Sequence, residues 1–340
     1  FPLSPPPPPL KIFNTASTSL EPFCPKVAGE ASMYTCGPTV YAPAHIGNFR
    51  AMLTYDILKR VLLHVYGMAV THVLNLTDVD DKIINKCRET GRTRAEITDK
   101  YTEVFMSDLA SLNILPADHY PKATDYIGEI VEMIQGLESK GLAYKNDDGW
   151  WYSVSSDPSY GKRVASVPLD PRSPPASDAD FALWKAEKPG VDVPTALWDT
   201  PLGRGRPGWH IECSAIAKAL LPPQIDIHAG GEDLKFPHHE NEAAQCAGVG
   251  GEGWCGCWVH NGFVNVGTEK MSKSLNNFKV LSTACPTSLS KRAFRYLVVS
   301  SHYRSSLTYT EESLAAAEGA VARIDRLMKA LEGVEATEGM

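Results

Sequence analysis

Ser32-Met33-Tyr34-Thr35-Cys36-Gly37-Pro38-Thr39, followed a few residues later by Pro43-Ala44-His45-Ile46-Gly47-Asn48, decides the fold. Residues 32–36 read as a strand, and Gly37-Pro38-Thr39 interrupts it. The turn then leads into a helical pattern over residues 49–66, and 70–76 reads as a further strand. Strand, glycine-containing loop, helix and strand make a βαβ unit, and parallel sheets are built from such units. A phosphate fits where the loop meets the helix N-terminus.

Working outward, residues 10–14 form a short first strand. Residues 83–113 and 123–140 read as helices, with Gly141 capping the second. Residues 150–154 look like a strand, and 158–206, rich in Pro, Gly, Asp and Ser, reads mostly as loop. Regular structure resumes at His210. A strand over 225–228 ends in Ala229-Gly230-Gly231, a helix covers 238–247, and 258–266 is strand-like. The expected fold is α/β: a doubly wound, parallel, Rossmann-like sheet split by an inserted connective domain, then a mainly helical C-terminal segment.

Composition sets bounds. The chain has 340 residues, 43% of them hydrophobic and 21% charged, enough to bury a sizeable core. Its formal net charge of −7 exerts no overall pull on nucleic acid, so such a contact requires a local basic patch. No apolar run approaches the roughly 18 residues needed to span a membrane. Eight irregularly spaced cysteines suit a reducing compartment, with metal or packing roles. Cys255-Gly256-Cys257, the tightest pair, reads as a glycine-rich loop with incidental thiols. The run Pro5-Pro6-Pro7-Pro8-Pro9 favours an extended coil and lacks the arginine-rich amphipathic character of a transit peptide. The expected address is cytoplasmic, with an organelle (mitochondrion or plastid) as the other reading.

The segment Phe236-Pro237-His238-His239-Glu240-Asn241-Glu242 carries the chemistry. His238 and Glu242 share one face of a helix. If Cys36 and Cys213 converge on them, the four make a zinc site of mixed sulfur, nitrogen and oxygen donors. Spacing alone leaves a closed structural site and a substrate-binding site both open. Several other residues have an ordinary reading when taken singly. His45 reads as a buried histidine, Trp209 as a core or loop aromatic and Thr77 as a helix N-cap. Asp233 reads as a turn carboxylate, and Lys270 and Lys273 as a solvated face.

Taken together, the motifs resemble one family. Tyr34-Thr35-Cys36-Gly37-Pro38-Thr39-Val40-Tyr41 with His45-Ile46-Gly47-Asn48 resembles the nucleotide-binding signature of class I aminoacyl-tRNA synthetases. Lys270-Met271-Ser272-Lys273-Ser274 matches the second signature, KMSKS, in full. Three further blocks look like cysteinyl-tRNA synthetase: Asn75-Leu76-Thr77-Asp78-Val79-Asp80-Asp81-Lys82, Arg206-Pro207-Gly208-Trp209-His210-Ile211-Glu212-Cys213-Ser214, and the segment 236–242. The resemblance runs from about residue 10 to residue 314.

The resemblance implies a division of the chain. Residues 1–9 are a Pro-rich extension, 10–115 and 206–265 the two halves of the catalytic domain, and 116–205 the inserted region. Residues 266–310 hold the KMSKS loop and stem-contact region, and 311–340 begin a helical domain. Three departures stand out. Asn48 replaces the usual histidine and cannot carry positive charge. Residues 161–180 lack the family's Ser- and Asp-patterned segment. The sequence stops before most of the helical and anticodon-binding parts, as a fragment would.

The resemblance also implies a reaction. Cys36, Cys213, His238 and Glu242 hold one Zn2+, which selects the substrate thiolate. His45, Gly47 and Asn48 hold ATP, accompanied by Mg2+, and Asp233 accepts from the ribose. Lys270 and Lys273 place charge on the leaving pyrophosphate, while Gly37, Thr77 and Trp209 line the amino-acid pocket. Cysteine is activated to cysteinyl-adenylate and passed to tRNA(Cys). The expected partners are therefore tRNA(Cys), cysteine and ATP, with no membrane and a monomeric chain. Two other functions stay open at this stage: a ligase joining cysteine to an amino sugar, as in mycothiol synthesis, and a non-catalytic, zinc-stabilised binding module.

Overall fold

The structure is a computed structural model, and it describes residues 7–164, 179–251, 253–267, 269–270 and 278–332. The chain divides into two compact units. The first comprises Phe1–Pro43, Leu58–Met106 and Pro116–His260, and the second Ala44–Ile57, Ser107–Leu115 and Asn261–Met340.

The first unit is built on a four-stranded sheet in the order Cys255–Asn261, Ile225–Gly231, Glu30–Thr35, Ala69–Leu74. Glu30–Thr35 pairs in parallel with both of its neighbours, which gives the parallel α/β architecture expected from the sequence. Parallel strands covered on both faces carry nearly continuous apolar runs, and the two central strands are buried almost throughout. Asp226 fixes their register. Its carboxylate accepts from the Lys26 N–H at 2.7 Å and from both the N–H and hydroxyl of Ser32 at 2.8 Å. The carboxyl ends of these strands run into Cys36, Asn75 and Asp233, on the side where open α/β sheets bind ligands. The expected first strand, Lys11–Asn14, instead forms a separate antiparallel hairpin with Ser19–Pro22.

The region expected to be mostly loop contributes strands. Phe181–Ala186 and Gly205–Pro207 join Ala143–Asn146 and Gly149–Tyr152 in a four-stranded antiparallel sheet. Trp150, Tyr152, Leu183 and Trp184 build its core, and the Trp150 indole donates to the Leu202 carbonyl at 3.0 Å. Proline and glycine around Phe181–Ala186 obscured a short aromatic strand. Residues 165–178 lie outside the described residues. Glu240 ties the preceding segment down, because its buried carboxylate accepts N–H bonds from Gly161, Arg163 and Val164 at 2.7, 3.1 and 2.7 Å.

The long helix expected over 83–113 is two helices, Asp81–Thr90 and Arg94–Ser111. Gly91, at φ 68°, stops the first in the left-handed conformation that favours glycine. Thr93 and Glu96 begin the second, the Glu96 carboxylate accepting from the Thr93 N–H at 2.7 Å. Residues 123–140 likewise start as a 3-10 turn, Ala123–Tyr126, before the helix Ile127–Ser139.

In the second unit a three-stranded sheet runs Glu269–Lys270, Val264–Val266, Leu307–Tyr309. Two helices follow, Ser288–Val299 and Glu311–Leu331, each opened by a threonine–serine capping box (Thr287 with Ser290, Thr310 with Ser313). Arg50, fully buried, donates to the carbonyls of Phe263, Tyr303 and Ser305. Among the described residues no helix is long and apolar enough to cross a membrane.

Candidate metal centre and amino-acid site

Cys36 follows directly on the strand Glu30–Thr35, and Cys213 sits in the second turn of the helix Trp209–Leu220. A π turn, Lys235–His239, passes into the helix Glu240–Gly248 and carries His238 and Glu242. Extended backbone at Phe236 kinks the entry. All four side chains are buried, and their donor atoms lie within 4.8 Å of one another.

The spacings fit a tetrahedral ion. Zn–S near 2.3 Å and Zn–N or Zn–O near 2.1 Å imply about 3.8 Å between two sulfurs and about 3.6 Å between sulfur and nitrogen or oxygen. The observed separations are 4.0 Å for Cys36 Sγ to Cys213 Sγ, and 3.6 Å both for Cys213 Sγ to His238 Nε2 and for Cys36 Sγ to Glu242 Oε1. His238 Nε2 and Glu242 Oε1 are closer, at 2.9 Å, as an ion pair. The four residues assigned to zinc by resemblance are thus brought together. A second overlapping set, Cys36, His228, His239 and Glu242, is equally compact.

Five of the ten histidines cluster here, at positions 210, 228, 238, 239 and 260. His228 Nε2 holds the second Glu242 oxygen at 2.8 Å. His210 Nδ1 meets His238 Nδ1 at 2.8 Å, and His260 Nε2 meets His239 Nδ1 at 2.8 Å. The free edge of His239 faces Cys36 Sγ at 3.5 Å. Such partners orient metal-binding groups. Sequence reading missed His210, His228 and His260, because they come from a helix and two strands with no common spacing. The Tyr34 hydroxyl, also buried, faces Cys213, Cys36 and Glu242.

Electrostatics separate the acids from the bases. Burial works against ionising Glu242, but His228 and His238 outweigh it and pull its carboxyl down to about 2. Burial likewise opposes protonation of His238, yet Glu242 and Cys213 raise it to about 10. The hydrogen bond from Cys36 leads in lowering the Cys213 thiol to about 6, whereas burial pushes Cys36 well up. Burial and neighbouring imidazoles keep His239 neutral. One thiolate, one carboxylate and one protonated imidazole therefore meet in a buried site, and a divalent cation bound there would take the place of the imidazolium proton.

The expected amino-acid pocket adjoins these ligands in sequence. The Gly37 N–H donates to Asn75 Oδ1 at 3.0 Å, and a methyl group on Gly37 would fall 1.7 Å from the Asn75 carbonyl oxygen. Thr77 is not the helix cap. Asp80 caps the helix Asp81–Thr90, accepting from the Lys82 N–H at 2.8 Å, while Thr77 bridges to Thr39. The Thr77 hydroxyl accepts from Asn75 Nδ2 at 3.5 Å and also bonds Glu212. Glu212, another residue missed in the sequence, is 1% exposed, and its Oε2 lacks a hydrogen-bond partner among the described residues. Trp209 is not a core aromatic. It is 42% exposed and stacks on His238 with ring centroids 4.4 Å apart. Asp233 lies exposed in the 3-10 turn Glu232–Leu234, folded back over the bare Cα of Gly231.

The nucleotide signature belongs to the second unit. The helix Ile46–Arg60 starts just after His45, with Gly47 in its first turn. His45 and Asn48 cap each other: the His45 N–H donates to Asn48 Oδ1 at 3.1 Å, and the Asn48 N–H donates to His45 Nδ1 at 3.2 Å. The His45 ring meets the Phe278 ring edge-on at 4.8 Å. Lys270 ends the short strand Glu269–Lys270, and Lys273 lies outside the described residues.

A parallel sheet with the Cys36 cluster at its carboxyl edge, and the sequence His45-Ile46-Gly47-Asn48 at a helix start, are features of a class I aminoacyl-tRNA synthetase fold. Solved structures agree. The chain overlays Mycobacterium tuberculosis methionyl-tRNA synthetase in complex with methionyl-adenylate at a TM-score of 0.63 and 16% identity, covering 84% of this chain and 67% of that one. It overlays the LeuRS–tRNA–LeuAMS ternary complex of Agrobacterium radiobacter K84 at 0.63 and 10% identity, covering 90% and 73%. The chain belongs to the family of class I tRNA synthetase (C) catalytic domains, whose profile matches residues 22–319. It is 44% identical over 313 residues to the cysteine–tRNA ligase of Pyrococcus furiosus, covering 90% of this chain and 64% of that protein. With the enzyme of Methanococcus vannielii it shares 43% over 333 residues, covering 96% and 68%. The chain thus spans about two thirds of the length of these relatives.

Proposed function

We propose that this chain carries the activating half of a cysteine–tRNA ligase: it joins cysteine to the α-phosphate of ATP and passes the cysteinyl group to tRNA(Cys). The convergence of Cys36, Cys213, His238 and Glu242 in one buried cluster supports this reading most directly. These residues would hold zinc. A bound zinc ion favours a thiolate over a hydroxyl and lowers the thiol pKa, which supplies the discrimination of cysteine from serine that pocket shape supplies poorly. Around it, His228 orients Glu242 and His210 orients His238. Gly37, Thr77 and Trp209 shape the amino-acid pocket. His45, Gly47 and Asn48 hold the ATP phosphates at a helix start, and Asp233 takes the ribose. Lys270 and Lys273 neutralise the leaving pyrophosphate. Mg2+ accompanies the nucleotide. The cysteine carboxylate attacks the α-phosphate in line, pyrophosphate leaves, and a terminal ribose hydroxyl of the tRNA displaces AMP. No side-chain nucleophile takes part. Eight free thiols suit a reducing compartment, and the cytoplasm is the proposed address.

Pyrophosphate exchange tests the reading. Exchange dependent on cysteine, with serine inert, is expected. Exchange that is absent with ATP and zinc saturating overturns it, and equal exchange with serine overturns the zinc selection.

A further inference from the structure

Where the helices Asp81–Thr90 and Arg94–Ser111 meet, a cleft of about 370 Å3 is lined by Lys86, Thr90, Arg92, Ile97, Lys100 and Tyr101. None of these residues has a part in the metal centre or the amino-acid pocket. Ile97 is buried with Ile83 and Cys87, and Tyr41 and Tyr101 pack against that cluster, so the floor is anchored. Cations lie over both tyrosines: Lys82 Nζ is 5.8 Å from the Tyr41 ring centroid, and Lys100 Nζ is 5.3 Å from that of Tyr101.

The nearby carboxylates are mostly engaged elsewhere. Lys122 takes Asp99 at 2.7 Å, and Thr93 takes Glu96 through both its N–H and its hydroxyl, at 2.7 and 2.8 Å. Glu89 pairs with Lys86 at 3.3 Å, an exposed i,i+3 contact that a competing anion displaces at little cost. The Thr90 hydroxyl is given to the Lys86 carbonyl at 2.7 Å, so the cleft offers three cations (Arg92 within reach of Glu96) and an aromatic face on a chain whose net charge is −7. A polyanion repelled by the whole is drawn to such a place.

We infer that this cleft binds a phosphate of an RNA backbone, as a docking point for the tRNA that the proposed function requires. The inference rests on that reading for the identity of the RNA. The cations sit on long, solvent-reaching side chains beside tyrosine faces. This suits a phosphodiester with neighbouring bases, where affinity comes from counterion release and stacking. A small-anion site would instead present buried, converging donors.

The test is a triple variant, Lys86→Gln, Arg92→Gln and Lys100→Gln, assayed by fluorescence anisotropy with labelled tRNA(Cys) transcript between about 50 and 200 mM salt. Leaving one phosphate without its cations should flatten the log–log salt dependence by about 0.7–0.9. The triple variant should lose that one phosphate's share, about 0.7–0.9 of slope, and at least about tenfold in affinity at low salt. Cysteine-dependent exchange should be unchanged, which separates this site from the activation chemistry and shows that the variant is folded. Lys100→Gln alone, at an exposed position, should lose part of that slope and part of the affinity.

Equal affinity and slope in wild type and variant overturn the proposal, as does a wild type that binds no RNA. Calorimetric binding of inorganic phosphate that the variant loses, with RNA binding intact, assigns the cleft to small anions and overturns it as well. Absence of exchange in the wild type sinks the ligase reading and is read out independently.

Discussion

Cys36 Sγ lies 4.0 Å from Cys213 Sγ, although 177 residues separate them in sequence. Neither is in a disulfide, and both are buried. Two thiols at this spacing, with His238 and Glu242 alongside, make sense as metal ligands. Purified chain is expected to hold about one zinc. Cys36→Ser or Cys213→Ser should bring zinc close to zero by atomic emission. Removal of zinc by a chelator should lower thermal stability, because binding free energy to a folded site is folding free energy. A zinc content unchanged in both variants would remove these residues from the ligand set.

Gly37 touches its neighbour in a way that allows no side chain. A Cβ there would lie 1.7 Å from the Asn75 carbonyl oxygen. Gly37→Ala has to push the Cys36 loop away from the strand end at Leu74. Overpacking of this kind costs about 1–3 kcal/mol or more. A displacement of about 1 Å at a reacting centre costs on the order of a hundredfold in rate. The exchange rate should fall by that order while urea unfolding shifts only moderately. An alanine variant with normal exchange would mean that the loop does not position the substrate.

Trp209 separates packing from binding. Because it is 42% exposed and stacked on His238, its removal should cost only about 0.5–1.5 kcal/mol of stability. The same Trp209→Ala change should raise KM for cysteine about tenfold, equivalent to about 1.4 kcal/mol. Exchange kinetics beside a thermal melt check this. A large drop in Tm with KM unchanged would make Trp209 structural.

Asp157 gives a pH signature. Burial works to raise its pKa, but the Arg163 guanidinium, at 2.7 and 2.9 Å, and the Tyr152 hydroxyl, at 2.8 Å, outweigh burial and lower it. A carboxyl whose folded pKa is depressed adds stability above its unfolded value of about 3.9, and that stability is lost as pH falls through the folded value. Asp157→Asn should therefore be less stable than wild type at neutral pH, by about 1–2 kcal/mol after allowing for screening. The gap should close on acidification below about pH 4. Urea midpoints from pH 3 to 7 would show it, and a gap constant across that range would contradict the ion pair.

The parallel sheet was legible from residues 32–76 because a βαβ unit is local: its period and turn residues sit in one stretch. The convergence of Cys36, Cys213, His238 and Glu242 was legible only through resemblance, since just His238 and Glu242 lie close together in sequence. The supporting shell was not legible. His228, His210 and His260 reach the site from separate elements, and a lone histidine in a strand carries no periodic signal. Glu212 is similar, since one buried acid in an apolar helix looks like any other polar interruption. Phe181–Ala186 lies among prolines and glycines that mask its period, and Gly91 stops a helix inside a stretch whose pattern reads as continuous.

The central strands impose an order on synthesis. Glu30–Thr35 is flanked by Ala69–Leu74, made soon after it, and by Ile225–Gly231, made far later. A ribosome emitting this chain exposes Cys36 long before its sulfur, nitrogen and oxygen companions exist. Until Glu242 emerges, the early half carries an unshielded thiol and an unpaired strand edge. The four-residue cluster can therefore assemble only once the later half has arrived, so it follows the pairing of the central strands in the growing polypeptide and cannot guide it.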